Sequence, residues 1–264
     1  MNKRTLIVGN WKMHLNVQQS SLLVNRLHQH IATHRDVEVV LAPTFLSLHP
    51  VSMEIDRRKF RLSAQDAFAV DEGPQTGEVS FAMLKDMVHY SIIGHSARRI
   101  YFGETLEQVR DKVQACVRNE ITPILCIGET KQERAAGETR QVLHDQLTTA
   151  VAHLTAAEIE DMVIAYEPVW AISTFQGEKS KPDDMQKAFT YIREQIASLY
   201  GAKTAKAVRL LYGGSVDAHN AMSYYDLDDC DGFLIGAASL NYKEFSDIVQ
   251  QAHIRNMKQK DGHE

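Results

Sequence analysis

The most constraining feature of this chain is a recurrence. Eight short apolar runs fall at 6–8, 37–41, 60–64, 91–93, 124–127, 163–165, 208–211 and 233–235. Most are rich in Val, Ile and Leu, the composition of strands buried on both faces. The segments between them are long enough for the crossover helices that parallel strands require. In the first such segment Leu23, Leu27 and Ile31 share one face of a helix, and in a later one Leu106, Val109, Val113 and Val117 do the same. The segment 179–199 repeats the theme less regularly, with Pro182 near its start, where a first helical turn tolerates it. Eight strand–helix units in about 250 residues predict an α/β fold, an eightfold (β/α)8 barrel with parallel strands inside and helices outside. The expected limits are one barrel domain over 1–256 and a polar, fraying tail over 257–264. A doubly wound open sheet is the rival, but it favours a Gly-rich fingerprint after the first strand, where Gly9 stands alone.

The balance of residues narrows the function. A net charge of −5 with no basic stretch argues against nucleic acid, although one positive pocket fits within such a total. No apolar run approaches the roughly 20 residues of a membrane span. The N-terminal stretch reads as a first strand rather than a signal peptide. Cys116, Cys126 and Cys230 are odd in number and show no CxxC pairing, which predicts a cytoplasmic protein with no disulfide and no zinc site.

Unusual residues cluster where the apolar runs end. Asn10 and Lys12 follow the first, Gln65 the third, His95 and Ser96 the fourth, Gly128 and Glu129 the fifth. Glu167 follows the sixth, Gly213, Gly214 and Ser215 the seventh, Gly236 and Ser239 the eighth. In a parallel barrel these positions share one face, the face that carries active sites. The sixth is the most telling. In MVIAYEPVW, Pro168 stops a central strand at Glu167 and leaves one carboxylate among Tyr166, Val169 and Trp170. Apolar surroundings raise a carboxyl pKa and strengthen it as a base.

Sorted by role, Glu167 is the base, Lys12 a fixed positive charge, His95 a hydrogen-bond donor and Asn10 an amide donor. The Gly-containing turns at 213–215 and 236–239 bring backbone N–H groups close to an anion. This set suits proton transfer next to a carbonyl in a small phosphorylated substrate. Each part has a plainer reading by itself. Lys12 alone reads as a surface lysine, His95 as a core histidine as readily as a catalytic one, Gly213 and Gly214 as a turn, and Cys126 as a small core residue. Only the joint arrangement carries the functional reading.

At these residues the chain resembles the triosephosphate isomerase family along nearly its whole length. The matching stretches are GNWKM (9–13), AQ (64–65), TGEVS (76–80), IIGHS (92–96), RR (98–99) and FGE (102–104), then CIGE (126–129), YEPVWAI (166–172), YGGS (212–215) and DGFLIG (231–236). The resemblance implies a TIM barrel that interconverts dihydroxyacetone phosphate and D-glyceraldehyde 3-phosphate through an enediolate, in glycolysis and gluconeogenesis. It implies Glu167 as base and His95 as a neutral imidazole kept so by a helix opening at Ser96. Lys12 and Asn10 would stabilise developing negative charge. Ser173, Ser215, Gly236 and Ala237 would bind the phosphate through backbone N–H groups. The stretch 171–181 would be a lid latched by Tyr212 and Ser215. No metal and no organic cofactor are implied. A homodimer is, through an arm over 65–78 that carries Thr76 toward the partner's site.

The chain departs from the family pattern at four places. Ala97 stands where the family has Glu, near the catalytic lysine, so turnover is expected to fall. The lid reads AISTFQGEKSKP against a pattern close to AIGTGKTATP. Ser173 and Phe175 replace glycines and the segment before Pro182 is longer, which predicts altered closure. Ala237 replaces the second glycine of the phosphate turn and predicts weaker phosphate binding. Pro74 and Gln75 alter the tip of the dimer arm and place its strength in question. An isomerase of a larger ketose phosphate, such as a tetrulose phosphate, and a barrel that binds phosphate ligands without catalysis are the alternatives.

Overall fold

Strands that bury both faces need a cover on each side, and this chain provides one by closing its sheet. The structure, a computed structural model, describes residues 3–172 and 180–261. Its elements run β1 Thr5–Asn10, α1 Val17–His30, β2 Val37–Ala42, α2 Phe45–Glu54, β3 Phe60–Ala64, α3 Phe81–Leu84, β4 Tyr90–Ile93, α4 Ser96–Tyr101, α5 Leu106–Arg118 and β5 Thr122–Ile127. They continue with α6 Lys131–Ala135, α7 Thr139–Ala150, α8 Ala156–Glu160, β6 Val163–Tyr166, α9 Pro182–Tyr200, α10 Ala202–Ala207, β7 Arg209–Tyr212, α11 Ala221–Tyr225, β8 Gly232–Ile235 and α12 Tyr242–Asp261. Short 3-10 turns, Val169–Ala171 and Ala237–Leu240, follow β6 and β8.

All strand pairs are parallel and follow chain order, and β8 closes on β1 with Leu6 opposite Gly232 and Val8 opposite Leu234. The expected eightfold barrel is borne out and the open sheet is excluded. Alternation along each strand sorts the core into two bodies. Leu6, Val8, Val40, Ile92, Ile124, Cys126 and Ala165 fill the barrel interior, while Ile7, Val39, Leu62, Ile93 and Leu210 face the helices. Cys126 is therefore the small core residue its surroundings suggested.

The N-terminal mouth is closed by a polar cluster from the starts of β2, β4 and β7. Tyr90 donates to Glu38 Oε1 at 2.9 Å, and Arg209 reaches Glu38 Oε2 at 3.1 Å and the Tyr90 hydroxyl at 2.9 Å. Each buried polar atom finds a partner there, as burial demands.

Local signals explain the helix starts. Asn16 with Gln19, and Thr105 with Gln108, form capping boxes on α1 and α5. Pro182 occupies the first turn of α9, as expected. Leu23 and Leu27 are buried on α1 and Val109 and Val113 on α5, the faces that their spacing predicts. Helix α12 extends to Asp261, into the stretch expected to be a tail.

Candidate active site

Glu167 comes first because the strand before it ends where Pro168 denies the ladder an N–H. Its own N–H donates to Ile127 O at 2.7 Å, which holds the residue against β5. The side chain is only 1% exposed. Both oxygens are held: Oε1 lies 3.1 Å from His95 Nε2 and Oε2 accepts the Ser96 N–H at 3.0 Å. Gly213 makes this possible, since a Cβ there would approach Glu167 Cγ to 2.8 Å.

His95 is turned into the site by Gly94, whose φ of +70° suits glycine. It is also the N-cap of α4, where its Nδ1 accepts the Ala97 N–H at 3.1 Å. A nitrogen that accepts carries no proton, so the neutral ring is protonated at Nε2 and donates toward Glu167. Burial pushes the imidazole pKa below its ordinary value, Glu167 opposes this, and Lys12 and Arg99 add to it. A neutral electrophile is the result.

Lys12 adopts a left-handed backbone, φ 51°, which is costly for a residue with a Cβ. Two side chains hold it there. Asn10 Oδ1 accepts the Lys12 N–H at 3.0 Å, and Gln65 Nε2 donates to Lys12 O at 2.9 Å and to Ala42 O at 2.8 Å. Burial lowers the ammonium pKa and the Glu167 carboxylate raises it in part.

These four side chains line one cavity of about 410 Å³ together with Ser215, Gly236 and Ala237. A buried carboxylate, a neutral imidazole donor, a cation and two turns with backbone N–H groups thus meet at one mouth of the barrel. Such a set can remove a proton beside a carbonyl and bind an anion.

The sequence model of the family described as triosephosphate isomerase matches residues 5–252. The chain belongs to the triosephosphate isomerase family. Its relatives include the triosephosphate isomerase of Chloroherpeton thalassium, 39% identical over 95% of this chain and 99% of that protein. That of Moorella thermoacetica is 42% identical over 94% of this chain and 98% of its own length. That of Carboxydothermus hydrogenoformans is 41% identical with the same coverage, 94% and 98%.

Within this member of the triosephosphate isomerase family, Asn10, Lys12, His95, Glu167, Ser215, Gly236 and Ala237 are all brought to the cavity. Ser173 and Phe175 lie outside the described residues. Ser215 spends its N–H (3.3 Å) and its hydroxyl (2.8 Å) on Ala171 O, at the start of the stretch 171–181. Tyr212 reaches the other end of that stretch, its hydroxyl 2.5 Å from Ser180 Oγ, while Tyr224 donates to Ser180 O at 2.7 Å. Among large residues beside the base, Trp170 donates to Glu129 Oε1 at 2.8 Å and lies under the Arg134 guanidinium at 4.1 Å.

Several contributions were not read from the sequence. Gln65 and Glu129 stood at run ends without a role, and the structure makes one the brace of Lys12 and the other the anchor of Trp170. Asp217 and Glu244 also line the cavity. Neither follows an apolar run directly, so the pattern that found the other residues passes over them.

Proposed function

We propose that this triose-phosphate isomerase uses Glu167 as its base, His95 as a neutral electrophile and Lys12 with Asn10 as the stabilisers of negative charge. The Glu167 carboxylate takes a proton from C1 of dihydroxyacetone phosphate. The C–H electron pair becomes the C1–C2 double bond, and the carbonyl pair moves onto O2, toward which His95 Nε2–H donates. The acid formed at Glu167 returns the proton to C2, while His95 passes its Nε2 proton to O2 and takes the O1 proton in its place, so that the O1–H electron pair becomes the aldehyde C=O and the ring is neutral again. Lys12 charge offsets the enediolate in a site with little water, where it counts most. Backbone N–H groups at Gly236, Ala237, Ser215 and Ser173 take the phosphate, Ser215 exchanging Ala171 O for it. The observation that carries this reading is the buried Glu167 carboxylate held by His95 Nε2 and Ser96 N–H at the wall of a cavity shared with Lys12.

The same reading makes the chain a single barrel domain that works in the cytoplasm as a homodimer. Among the described residues no helix is long and apolar enough to cross a membrane. The connections after β1 to β4 leave Met13 at 92%, Leu46 at 72%, Met83 at 62% and Phe102 at 69% exposure. Large apolar groups left in water on successive connections at one end of the barrel support an interface there. Thr76, exposed on its arm, would reach the partner's site. Sedimentation at nanomolar protein tests the dimer, and a monomer at every concentration would refute it.

The test of function is kcat/KM for glyceraldehyde 3-phosphate beside Glu167→Gln. The expected value lies within a decade or so of the diffusional ceiling near roughly 10⁸–10⁹ M⁻¹s⁻¹, with loss in the variant. Faster turnover of a tetrulose phosphate would move the substrate, and equal rates for both proteins would remove Glu167 from the chemistry.

A further inference from the structure

At the opposite end of the barrel, three side chains converge that the isomerase site does not use. His34 and Asp36 lie on the connection from α1 to β2, and His253 lies on α12. One ring nitrogen from each histidine and one carboxylate oxygen of Asp36 lie within 4.8 Å of one another. The two imidazoles stack at 4.0 Å between centroids with planes 29° apart. His253 Nδ1 is 2.9 Å from Asp36 Oδ1. We propose that His34, Asp36 and His253 bind a divalent transition-metal ion, Zn²⁺ by the chemistry of the set, with water completing the coordination.

The donor types favour such an ion, since imidazole with a carboxylate suits zinc whereas oxygen-only sets suit calcium and magnesium. A tetrahedral ion with bonds near 2.0–2.1 Å needs donors about 3.3 Å apart. His253 and Asp36 are already near that spacing at 2.9 Å, and His34, partly exposed and within 4.8 Å of both, turns out of its stack to complete the set on binding. On binding, His253 carries its proton on Nε2, so that the Nδ1 lone pair faces the ion.

Asp36 is also braced as a metal ligand should be. Asn256 Nδ2 donates to Asp36 Oδ2 at 2.9 Å and to Thr5 Oγ1 at 2.9 Å, and Tyr225 fixes the Asn256 carbonyl at 2.5 Å. Outer partners of this kind orient metal-bound carboxylates. Asp36 and Asn256 also line a cavity of about 610 Å³. The ion would clip the last helix to the start of β2, at the face of a barrel concerned with stability rather than catalysis. Its plain rival is an Asp36–His253 ion pair with a stacked histidine and no ion.

The full chain, stripped with a chelator, is titrated with Zn²⁺ by calorimetry and with Co²⁺ by visible absorption. One ion per chain is expected, with a higher Tm, since an ion that binds only the folded chain stabilises it. His34→Gln, which leaves the Asp36–His253 pair in place, and His253→Gln should each weaken binding at least tenfold. Asn256→Leu should weaken it by about tenfold. Isomerase activity should be the same with and without the ion, and it reports that each variant is folded. No saturable binding, or equal binding by wild type and both histidine variants, would overturn the proposal.

Discussion

His95 Nε2 stands 3.1 Å from Glu167 Oε1, and the proton between them is assigned to the imidazole by the Ala97 N–H on its other nitrogen. The contact therefore joins a neutral donor to a carboxylate rather than two ions. Ala97 supplies this through its backbone, so the tautomer does not depend on the side chain at that position.

His95 should stay neutral on acidification past the ordinary histidine value. Its pKa is lowered chiefly by burial, so the cation forms only at a pH below about 6.5. Nitrogen shifts of labelled protein should report an Nε2–H neutral ring at pH 6.5. A half-protonated His95 at that pH would contradict the assignment.

Lys12 should lose its charge earlier than an exposed lysine. Burial lowers its pKa from the ordinary 10.5, and the ammonium is the form present below that pKa. The alkaline fall of kcat/KM should thus begin below the ordinary lysine value. Ala97→Glu restores the carboxylate that the family places near this lysine, which should move the fall upward and raise turnover. An unchanged profile and rate in that variant would refute the link.

The hydroxyls of Tyr212 and Ser180 should act as one unit. Each is buried and the contact is 2.5 Å. Tyr212→Phe and Ser180→Ala should each lower kcat/KM by about five- to tenfold, the equivalent of about 1 kcal/mol for one hydrogen bond. The double variant should be little worse than either single one. Additive losses would show that the two hydroxyls work separately.

Lys112 should matter for stability more than for rate. It is buried and pairs with Asp66 at 2.7 Å and with Glu104. Lys112→Met leaves these carboxylates to Arg98, which contacts Asp66 at 2.8 Å and Glu104 at 3.1 Å. Removing one partner of a buried pair costs about 3–5 kcal/mol, and the remaining arginine places this change near the lower end. Guanidinium unfolding measures it. A loss under about 1 kcal/mol, the level of a surface pair, would show that the charges are hydrated.

The phosphate end provides a milder test. Ala237 is exposed in the cavity, and its methyl group is what distinguishes this turn from the family's glycine. Ala237→Gly should lower KM a few-fold with kcat unchanged, the mark of binding shared by ground and transition states. An unchanged KM would mean that the methyl group does not meet the phosphate.

Much of the site was legible because a barrel has a simple rule. Whatever follows an apolar run lies on one face, so Asn10, Lys12, His95 and Glu167 could be assembled from their places in the chain. Gln65 and Glu129 obeyed the same rule, yet their roles depend on which atoms they meet. Gln65 reaches Lys12 O across 53 positions. Asp217 and Glu244 broke the rule and were missed.

By itself the sequence determined the number and order of the strands, the helix start at Pro182, and the kinds of group at the catalytic mouth. These rest on spacing and proline chemistry, which act over a few residues. Tertiary structure alone decided the protonated nitrogen of His95, the left-handed turn of Lys12, and the space that Gly213 leaves for Glu167. It also decided the meeting of Asp36 with His253, which are 217 positions apart. The physical reason is that desolvation, tautomer and donor geometry belong to atoms brought together by closure of the barrel, and no local pattern records which atoms those are.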